Sequence, residues 1–266
     1  MDALAALRLQ LEWGADEALG ELPVDRFAAP AARPHIAEAP RRDSSPSAAP
    51  PAPKPAAPPP PAALPMPAQR ARDIAAGCKS LADLRAALAA FDGCPLSTTA
   101  TNLVFADGNP ASGLMLVGEG PGAEEDRAGL PFVGASGQFL DRMLASIGLD
   151  RSAYYITNLI PWRPPGNRNP TDSEIVVCLP FLLRHIALVR PKRLVLLGNM
   201  SVQSVLGTKT GITRMRGRWV EAHIEGLTAP VPALPMLHPA YLLRNHGAKR
   251  EAWADMIALR RALDEN

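Results

Sequence analysis

Hydrophobic and polar residues alternate in blocks along the C-terminal three quarters of the chain, in a pattern typical of a layered α/β protein. Four short apolar runs have the length of buried strands, and they lie at 113–117, 154–157, 193–197 and 233–237. Between and after these runs the apolar residues recur at helical spacing, over about 136–147, 172–189, 201–206 and 249–263. Because strands and helices alternate, the pattern predicts a parallel sheet with helices on both faces.

Local signals at the ends of these blocks support the helix assignments. Thr171 precedes the second helix and Glu174 follows three residues later, which is the spacing of a capping box. Gly148 is positioned to end the first helix in a left-handed conformation. Residues 83–91 predict another helix before the sheet, and 219–224 predict a strand at its edge.

The N-terminal part of the chain differs in composition. About half of the 29 prolines lie between residues 30 and 67, mixed mostly with alanine, so residues 23–70 are predicted to form an extended linker. Residues 1–22 predict a short amphipathic helix, which is either a contact for an unknown protein partner or a frayed terminus. The folded domain is then expected over residues 71–266.

The composition excludes several classes of protein. The 28 lysines and arginines nearly balance the 26 acidic residues, so a nucleic acid would have to contact a local basic strip. No apolar run is long enough to span a bilayer, and the start lacks the basic segment of a secretory signal. The three widely spaced cysteines give no disulfide framework. We therefore expect a cytoplasmic monomer with no membrane partner.

Three polar residues lie just after predicted strands, namely Glu119, Asn158 and His238. Parallel strands end at one edge of a sheet, which is where open α/β sheets bind ligands. Each residue also has a structural explanation, since the glycine-rich segment 118–134 could be a tight turn, Asn158 an Asx turn and His238 a core group. Against these explanations, an asparagine amide suits the O4 and N3–H edge of a pyrimidine, and Pro239 redirects the chain at His238.

The motifs as a set resemble one known family. They are Gly-Glu-x-Pro-Gly-x-x-Glu-Asp-x-x-Gly-x-Pro-Phe-Val-Gly at 118–134, Ile-Thr-Asn at 156–158, Arg-Pro-Pro-Gly-Asn-Arg at 163–168 and His-Pro-Ala-x-Leu-Leu-Arg at 238–244. In this order they resemble the family-four uracil-DNA glycosylases. The resemblance implies a three-layer α/β/α sandwich with a central four-stranded parallel sheet. It also implies an enzyme that flips deoxyuridine out of DNA and hydrolyses its N-glycosidic bond, releasing uracil and leaving an abasic site.

The resemblance implies roles for the residues at the sheet edge. Phe132 is expected to stack on the flipped uracil, Asn158 to bind its polar edge and the backbone at 118–120, formed by Gly118, Glu119 and Gly120, to contact it. His238 is expected to donate a hydrogen bond to the uracil O2, where negative charge develops as the bond breaks.

The group that activates water is left open by the motif. Family-one enzymes carry an aspartate at the position that is Gly120 in this chain. Glu125 is therefore the first candidate, and Glu119 and Asp126 are the alternatives.

The resemblance also implies contacts with uracil-containing DNA. Leu242 or Leu243 is expected to enter the space that the flipped nucleotide leaves, and Arg244 to bind a phosphate. Three more arginines are candidates for contacts with the DNA backbone, namely Arg163, Arg168 and Arg216. The loop at 164–170 has no histidine, so the stable covalent adduct formed by one branch of the family is not expected.

Members of the family usually bind a 4Fe-4S cluster through four cysteines. The matching positions in this chain are Phe91, Cys94, Trp162 and Cys178, and neither phenylalanine nor tryptophan can ligate iron. Cys78 could replace one ligand at most. We therefore predict that the cluster is absent, that Phe91 and Trp162 fill its place, and that the protein uses no metal or other cofactor.

Two other functions are compatible with the same pocket. One is a catalytically silent protein that binds damaged DNA or assists a polymerase. The other is an enzyme that processes free nucleotides such as dUMP or NAD. An abasic product from uracil-containing DNA distinguishes the glycosylase from both.

Overall fold

The computed structural model describes residues 66–265, and it contains one six-stranded sheet. The strands are β1 (Asp107–Gly108), β2 (Leu114–Gly118), β3 (Tyr155–Asn158), β4 (Arg193–Leu197), β5 (Val220–Ala222) and β6 (Val231–Met236). Their order across the sheet is β1-β3-β2-β4-β6-β5. The inner four strands are parallel, and β1 and β5 are antiparallel to their neighbours at the two edges. The predicted four-stranded parallel sheet is therefore confirmed.

Helices cover the two faces of this sheet. Within the described residues they are α1 (Met66–Gly77), α2 (Leu81–Ala89), α3 (Leu96–Thr99), α4 (Ala123–Ala128), α5 (Ala135–Ala145), α6 (Asp172–Val189), α7 (Asn199–Leu206), α8 (Ile212–Met215), α9 (Pro239–Arg244) and α10 (Lys249–Asp264). Short 3-10 turns lie at Pro165–Asn167 and His246–Ala248. None of the helices between residues 66 and 265 is both long enough and apolar enough to cross a membrane.

Alternate residues of the strands contribute to two separate cores. Met115 and Val117 of β2 belong to the core that includes α1, α2, α6 and α7. Leu114 and Leu116 belong to the opposite core, which includes α5 and α10. The two-residue period of a strand produces this division. The chain thus forms the predicted three-layer α/β/α sandwich.

The predicted helix ends agree with the structure. α6 has the predicted bounds, and Thr171 and Glu174 form the complete capping box at its start. Gly148 has a φ of 78°, as expected for a residue that ends a helical segment. The predicted edge strand forms over Val220–Ala222. The two-residue strand β1 was not predicted, because a segment of that length shows no periodicity.

Helix α1 lies partly inside the segment predicted to be a linker. It covers Met66–Gly77, so residues 66–70 belong to the folded domain and the linker prediction is corrected there. The buried residues of α1 are Ala68, Ala71 and Ala75, and the helix packs against α6. A buried face made only of alanine gives no contrast within a Pro/Ala-rich sequence, which explains the error. The predicted helix over 1–22 and the rest of the linker lie outside the described residues.

Candidate active site

A cleft of about 650 Å³ opens where the parallel strands end. Its walls include the last residue of β3 and residues that directly follow β2, β4 and β6, as the topology requires. The predicted site residues on these walls are Glu119, Gly120, Glu125, Phe132, Asn158, Arg168, His238 and Arg244. The expected meeting of Glu119, Asn158 and His238 at one edge of the sheet is therefore observed.

Asn158 is a buried polar residue with unused hydrogen-bonding groups. Its side chain is 5% exposed, and neither Oδ1 nor Nδ2 has a hydrogen-bond partner among residues 66–265. An unpaired buried polar group costs about 1–3 kcal/mol, so an unpaired amide on the wall of a cleft indicates a ligand that supplies its partners. The alternative explanation, an Asx turn, would have paired Oδ1 with a backbone N–H.

Gly118 provides the space for this arrangement. It pairs with Asn158 in the sheet, and a Cβ at position 118 would lie 2.4 Å from Oδ1 of Asn158 and 2.5 Å from Cζ of Phe132. Any side chain here would displace the amide or the ring. The predicted backbone contact at 118–120 is therefore accompanied by a steric requirement for glycine at its first residue.

Phe132 has a backbone conformation that is rare for an aromatic residue, with a φ of 56°. Its ring is buried, and the ring centroid lies 5.8 Å from that of His238, with 30° between the two planes. Helix α5 passes close behind, since a Cβ on Gly137 would lie 1.9 Å from the Phe132 carbonyl oxygen. The ring forms one wall of the cleft and can stack on a flat ligand there.

His238 is an uncharged hydrogen-bond donor at neutral pH. It is the N-cap of α9, and its Nδ1 accepts a hydrogen bond from the Ala240 N–H at 3.1 Å. Since Nδ1 is an acceptor, the neutral imidazole carries its proton on Nε2. Burial, together with the charge of nearby Arg244, lowers the pKa of His238 to about 4. Nε2–H is thus the group that His238 offers to a ligand.

Two acidic residues of the glycine-rich segment already hold backbone groups. The Glu125 carboxylate accepts the Gly122 N–H at 3.0 Å and the Gly134 N–H at 2.8 Å, one on each oxygen. Asp126 accepts the Thr101 N–H at 2.8 Å. These bonds fix the loop between β2 and α5 and do not favour the predicted role of Glu125 in activating water.

Glu119 is in a different environment from Glu125. Its Oε1 accepts the Met200 N–H at 2.9 Å, and its carboxyl lies against Gly198, where a Cβ would be 2.4 Å from Oε1. Burial raises the pKa of Glu119. A carboxyl with a raised pKa on the wall of a cleft is typical of a group that exchanges protons during a reaction.

Two residues predicted to contact DNA belong to the protein interior, and these predictions are corrected. Leu242 is fully buried and packs with Leu237 and Ala252, so it cannot enter a DNA stack without leaving the core. Arg216 donates to the Asp255 carboxylate through Nε at 3.0 Å and through Nη2 at 2.5 Å. Because its side chain is only 17% exposed, this ion pair has a structural role.

The remaining arginines differ in how firmly they are held. Arg168 makes a double hydrogen bond with Glu174, at 2.9 and 2.6 Å, which lowers the pKa of that carboxyl to about 2. Arg163 donates to the Asn167 Oδ1 at 2.7 Å through Nε alone. Arg244 is exposed on the cleft wall, and Leu243 beside it is partly exposed.

Tyr241 also lines the cleft, although none of the motifs predicts it. It is 40% exposed, and its hydroxyl accepts a hydrogen bond from Nδ2 of Asn245 at 2.7 Å. Tyr241 and Arg244 are three residues apart on α9 and so share one face of that helix. This spacing is the signal that could have identified Tyr241.

The four positions that match the cluster ligands of the family form part of the apolar core. Phe91 packs against Phe181 of α6 with the ring centroids 5.0 Å apart, and Trp162 is buried in the same core. The Sγ atoms of Cys94 and Cys178 are 3.9 Å apart. These residues do not fit a four-thiolate cluster, because buried aromatic rings stand at two of its positions.

A profile of the uracil DNA glycosylase superfamily matches residues 105–257. The type-4 uracil-DNA glycosylase of Thermotoga maritima is 40% identical over 153 residues, which cover 57% of this chain and 77% of the relative. That of Pyrobaculum aerophilum is 37% identical over 171 residues, with coverage of 62% and 85%. That of Archaeoglobus fulgidus is 39% identical over 166 residues, with coverage of 61% and 82%. The chain therefore belongs to the uracil-DNA glycosylase superfamily, with type-4 enzymes among its relatives.

Proposed function

We propose that this protein is a DNA repair glycosylase that flips deoxyuridine out of DNA and hydrolyses the bond between uracil and deoxyribose. The observation that carries the proposal is the unpaired amide of Asn158, which lines the same cleft as the ring of Phe132 and the imidazole of His238. The relatives described above are type-4 uracil-DNA glycosylases, which supports the same reaction.

Uracil complements the groups on the cleft wall. Its O4 accepts the Nδ2–H of Asn158 and its N3–H donates to Oδ1, so that both unpaired atoms gain partners. Stacking on the Phe132 ring contributes about 1–3 kcal/mol, the usual range for a base on an aromatic side chain. Together these contacts offset the few kcal/mol required to extrude the nucleotide from the duplex.

His238 stabilises the charge that develops when the bond breaks. Cleavage of the C1′–N1 bond leaves its electron pair on the uracil, with negative charge on N1 and O2, and leaves an oxocarbenium-like sugar. The Nε2–H of neutral His238 donates to O2, and a donor placed at developing charge is worth about 3–4 kcal/mol. Water then adds to C1′ and releases a proton, which completes the hydrolysis.

Glu119 is the carboxyl that we assign to the sugar side of the reaction. It lines the cleft directly after Gly118, whereas both oxygens of Glu125 bind backbone N–H groups. In its ionised form Glu119 stabilises the positive sugar and accepts the proton of the attacking water. Glu125 instead holds the loop that carries Phe132.

The DNA contacts follow from which side chains remain accessible. Arg244 and Tyr241 lie at the cleft and are exposed, so Arg244 binds a phosphate and Tyr241, with Leu243, borders the extruded nucleotide. Arg163 makes a second contact with the DNA backbone.

The enzyme is proposed to act without a 4Fe-4S cluster. This is supported by Phe91 and Trp162, which pack in the apolar core at two of the positions where the family has cluster ligands. Purified protein is expected to contain no iron and to show no visible charge-transfer absorption. A cytoplasmic location is expected.

Alkaline cleavage of a labelled uracil-containing oligonucleotide tests the function. The parent protein is expected to produce strand scission after alkali, and the His238→Ala and Asn158→Asp variants to lose most of it. A protein that binds the uracil oligonucleotide without producing alkali-labile sites would instead be the silent damage-binding or polymerase-accessory module. Equal cleavage by the parent and both variants would show that the site residues are wrongly assigned.

A further inference from the structure

The carbonyl group of Phe132 is held by a side chain outside the cleft. Arg151 lies in the loop before β3, and its Nη2 donates to the Phe132 carbonyl oxygen at 2.5 Å. Its Nη1 approaches the carbonyl oxygen of Pro131 at 3.4 Å. One guanidinium therefore contacts two consecutive peptide groups of the segment that presents the stacking ring.

Arg151 is itself fixed from two other elements. Its Nε donates to Oδ1 of Asp141 on α5 at 2.9 Å, and its Nη1 donates to Oδ2 of Asp107 on β1 at 3.2 Å. The Tyr154 hydroxyl also donates to Asp141, at 2.8 Å. The planar guanidinium of Arg151 donates its bonds to Asp141, Asp107 and the two carbonyl groups at the same time. The single ammonium group of a lysine cannot do so. The guanidinium therefore links the loop of Phe132 to the sheet edge and to α5.

The backbone of Phe132 requires such support. Its φ of 56° lies in the left-handed region, where a bulky side chain is disfavoured. Its carbonyl oxygen points into the gap left by Gly137. None of Arg151, Asp141 and Asp107 lines the cleft, so these residues act on a ligand only through the segment they hold.

We propose that Arg151 is a positioning residue that keeps Phe132 in its left-handed conformation and so fixes the angle of the stacking ring. This inference rests on the proposed function, because the ring is taken to stack on the flipped uracil. Without the guanidinium, the backbone relaxes towards negative φ and the ring leaves its place beside Gly118 and His238. The DNA-contacting residues, which lie on α9 and at Arg163, are not affected.

The Arg151→Gln and Arg151→Lys variants test the proposal, with Arg260→Gln as the matched control. Arg260 also donates to a backbone carbonyl, that of Ile147 at 3.3 Å, and pairs with a carboxylate, that of Asp264, but it lies away from the cleft. Single-turnover excision at saturating enzyme is expected to fall about 100-fold in both Arg151 variants, as for a misplaced catalytic element. Inhibition by free uracil should weaken about 10-fold, the loss expected when stacking is impaired. Affinity for DNA with an abasic site should stay at the parental value, and Arg260→Gln should behave as the parent.

Several results would overturn the role proposed for Arg151. A folded Arg151→Gln variant with parental excision and parental uracil inhibition overturns the proposal, as does full rescue by lysine. An equal loss of uracil and abasic-DNA binding, together with a lower melting temperature, would show that the whole domain is destabilised and would also overturn the proposal.

If Arg151→Gln does not fold, Asp107→Ala removes only the outer contact at 3.2 Å and should weaken uracil inhibition in the same direction, whereas parental uracil inhibition in this variant would overturn the proposal. If the parent forms no abasic sites, the proposed function fails. Uracil binding by parent and variant still tests the role of Arg151.

Discussion

Two buried polar side chains next to β3 differ in how their hydrogen-bonding groups are used. His185 of α6 lies behind the sheet edge, stacked on Phe105 with centroids 4.5 Å apart, and its Nε2 is 3.0 Å from the Tyr155 hydroxyl. Asn158 ends the same strand, and its amide has no partner in residues 66–265. Both side chains are at most 5% exposed. Burial alone therefore does not identify a functional residue, whereas an unsatisfied group on a cleft wall does.

The difference has an energetic meaning. The Nε2 of His185 is already paired with the Tyr155 hydroxyl in the absence of a ligand. Burial lowers the pKa of His185 to about 3, so it remains neutral as a core residue. The amide of Asn158 is left at a cost of about 1–3 kcal/mol, which a bound pyrimidine removes. The unpaired amide therefore lowers stability at the sheet edge and provides recognition of a ligand. Variants of Asn158 and His185 separate these two effects.

The largest effect is expected for Asn158→Asp. A carboxylate presents two acceptors to uracil and repels O4, so the excision rate should fall about 1000-fold, as when a key polar donor is removed from an active site. The measurement is single-turnover cleavage of a uracil-containing oligonucleotide. Asn109→Asp is the matched control, because the Asn109 Oδ1 accepts the Ala111 N–H and an aspartate can keep that bond. Similar activity in both variants would remove Asn158 from the site.

His185→Ala should give the opposite result. It opens a cavity beside Phe105 and leaves the Tyr155 hydroxyl without its partner, so the free energy of unfolding should fall by about 3 kcal/mol. Denaturant unfolding measures this loss, and the folded fraction should keep its excision rate. His223→Ala changes an exposed histidine and should change neither quantity. A loss of excision with unchanged stability would place His185 in the functional site.

Glu119 and Glu125 also differ as a functional and a structural residue, and smaller effects are expected for their variants. Glu119→Gln should lower the excision rate about 100-fold, within the range for loss of a general acid or base. Glu125→Gln keeps its bonds only in part and should lower the free energy of unfolding by about 1 kcal/mol. The ratio of rate loss to stability loss should therefore be larger for Glu119. The reverse ratio would restore Glu125 as the residue that activates water.

A further prediction concerns the pH dependence of stability. The pKa values of His185 and His238 are lowered in the folded protein to about 3 and about 4, so the unfolded chain takes up protons first as the pH falls below about 6.5. Stability should decrease from pH 7 towards pH 5, by at most about 1.4 kcal/mol per pH unit for each histidine. His185→Ala should flatten this slope in unfolding experiments. If the free energy of unfolding of His185→Ala changes with pH as steeply as that of the parent, His185 does not cause the pH dependence. His238 stays neutral above about pH 4, so its protonation should not reduce excision between pH 7 and pH 5.

The sequence predicted those parts of the fold that depend on local periodicity. The buried strands and α6 were identified because their apolar spacing and capping residues are local signals. Helix α1 was missed because its buried face is alanine only. The convergence of Glu119, Asn158 and His238 is also predicted by the parallel direction of the strands, because parallel strands end at one edge.

The remaining errors concern which side of an element a side chain occupies. The motif around Leu242 and Leu243 does not tell which leucine faces the core, and the structure buries Leu242. The sequence predicts a DNA contact for Arg216, because nothing near it in the sequence shows that Asp255, 39 residues away, is its partner. Long-range partners of this kind are invisible to motif spacing, and the same holds for Arg151 and the Phe132 carbonyl.

The most direct test of the central claim observes the Asn158 amide itself. In protein labelled with ¹⁵N, the side-chain NH₂ signals of Asn158, assigned by their loss in Asn158→Asp, are followed while free uracil is added. Both amide protons are expected to show saturable shifts in the parent, and the same shifts are expected in Arg151→Gln with weaker uracil affinity. Amide signals that do not move while uracil is shown to bind elsewhere would contradict it.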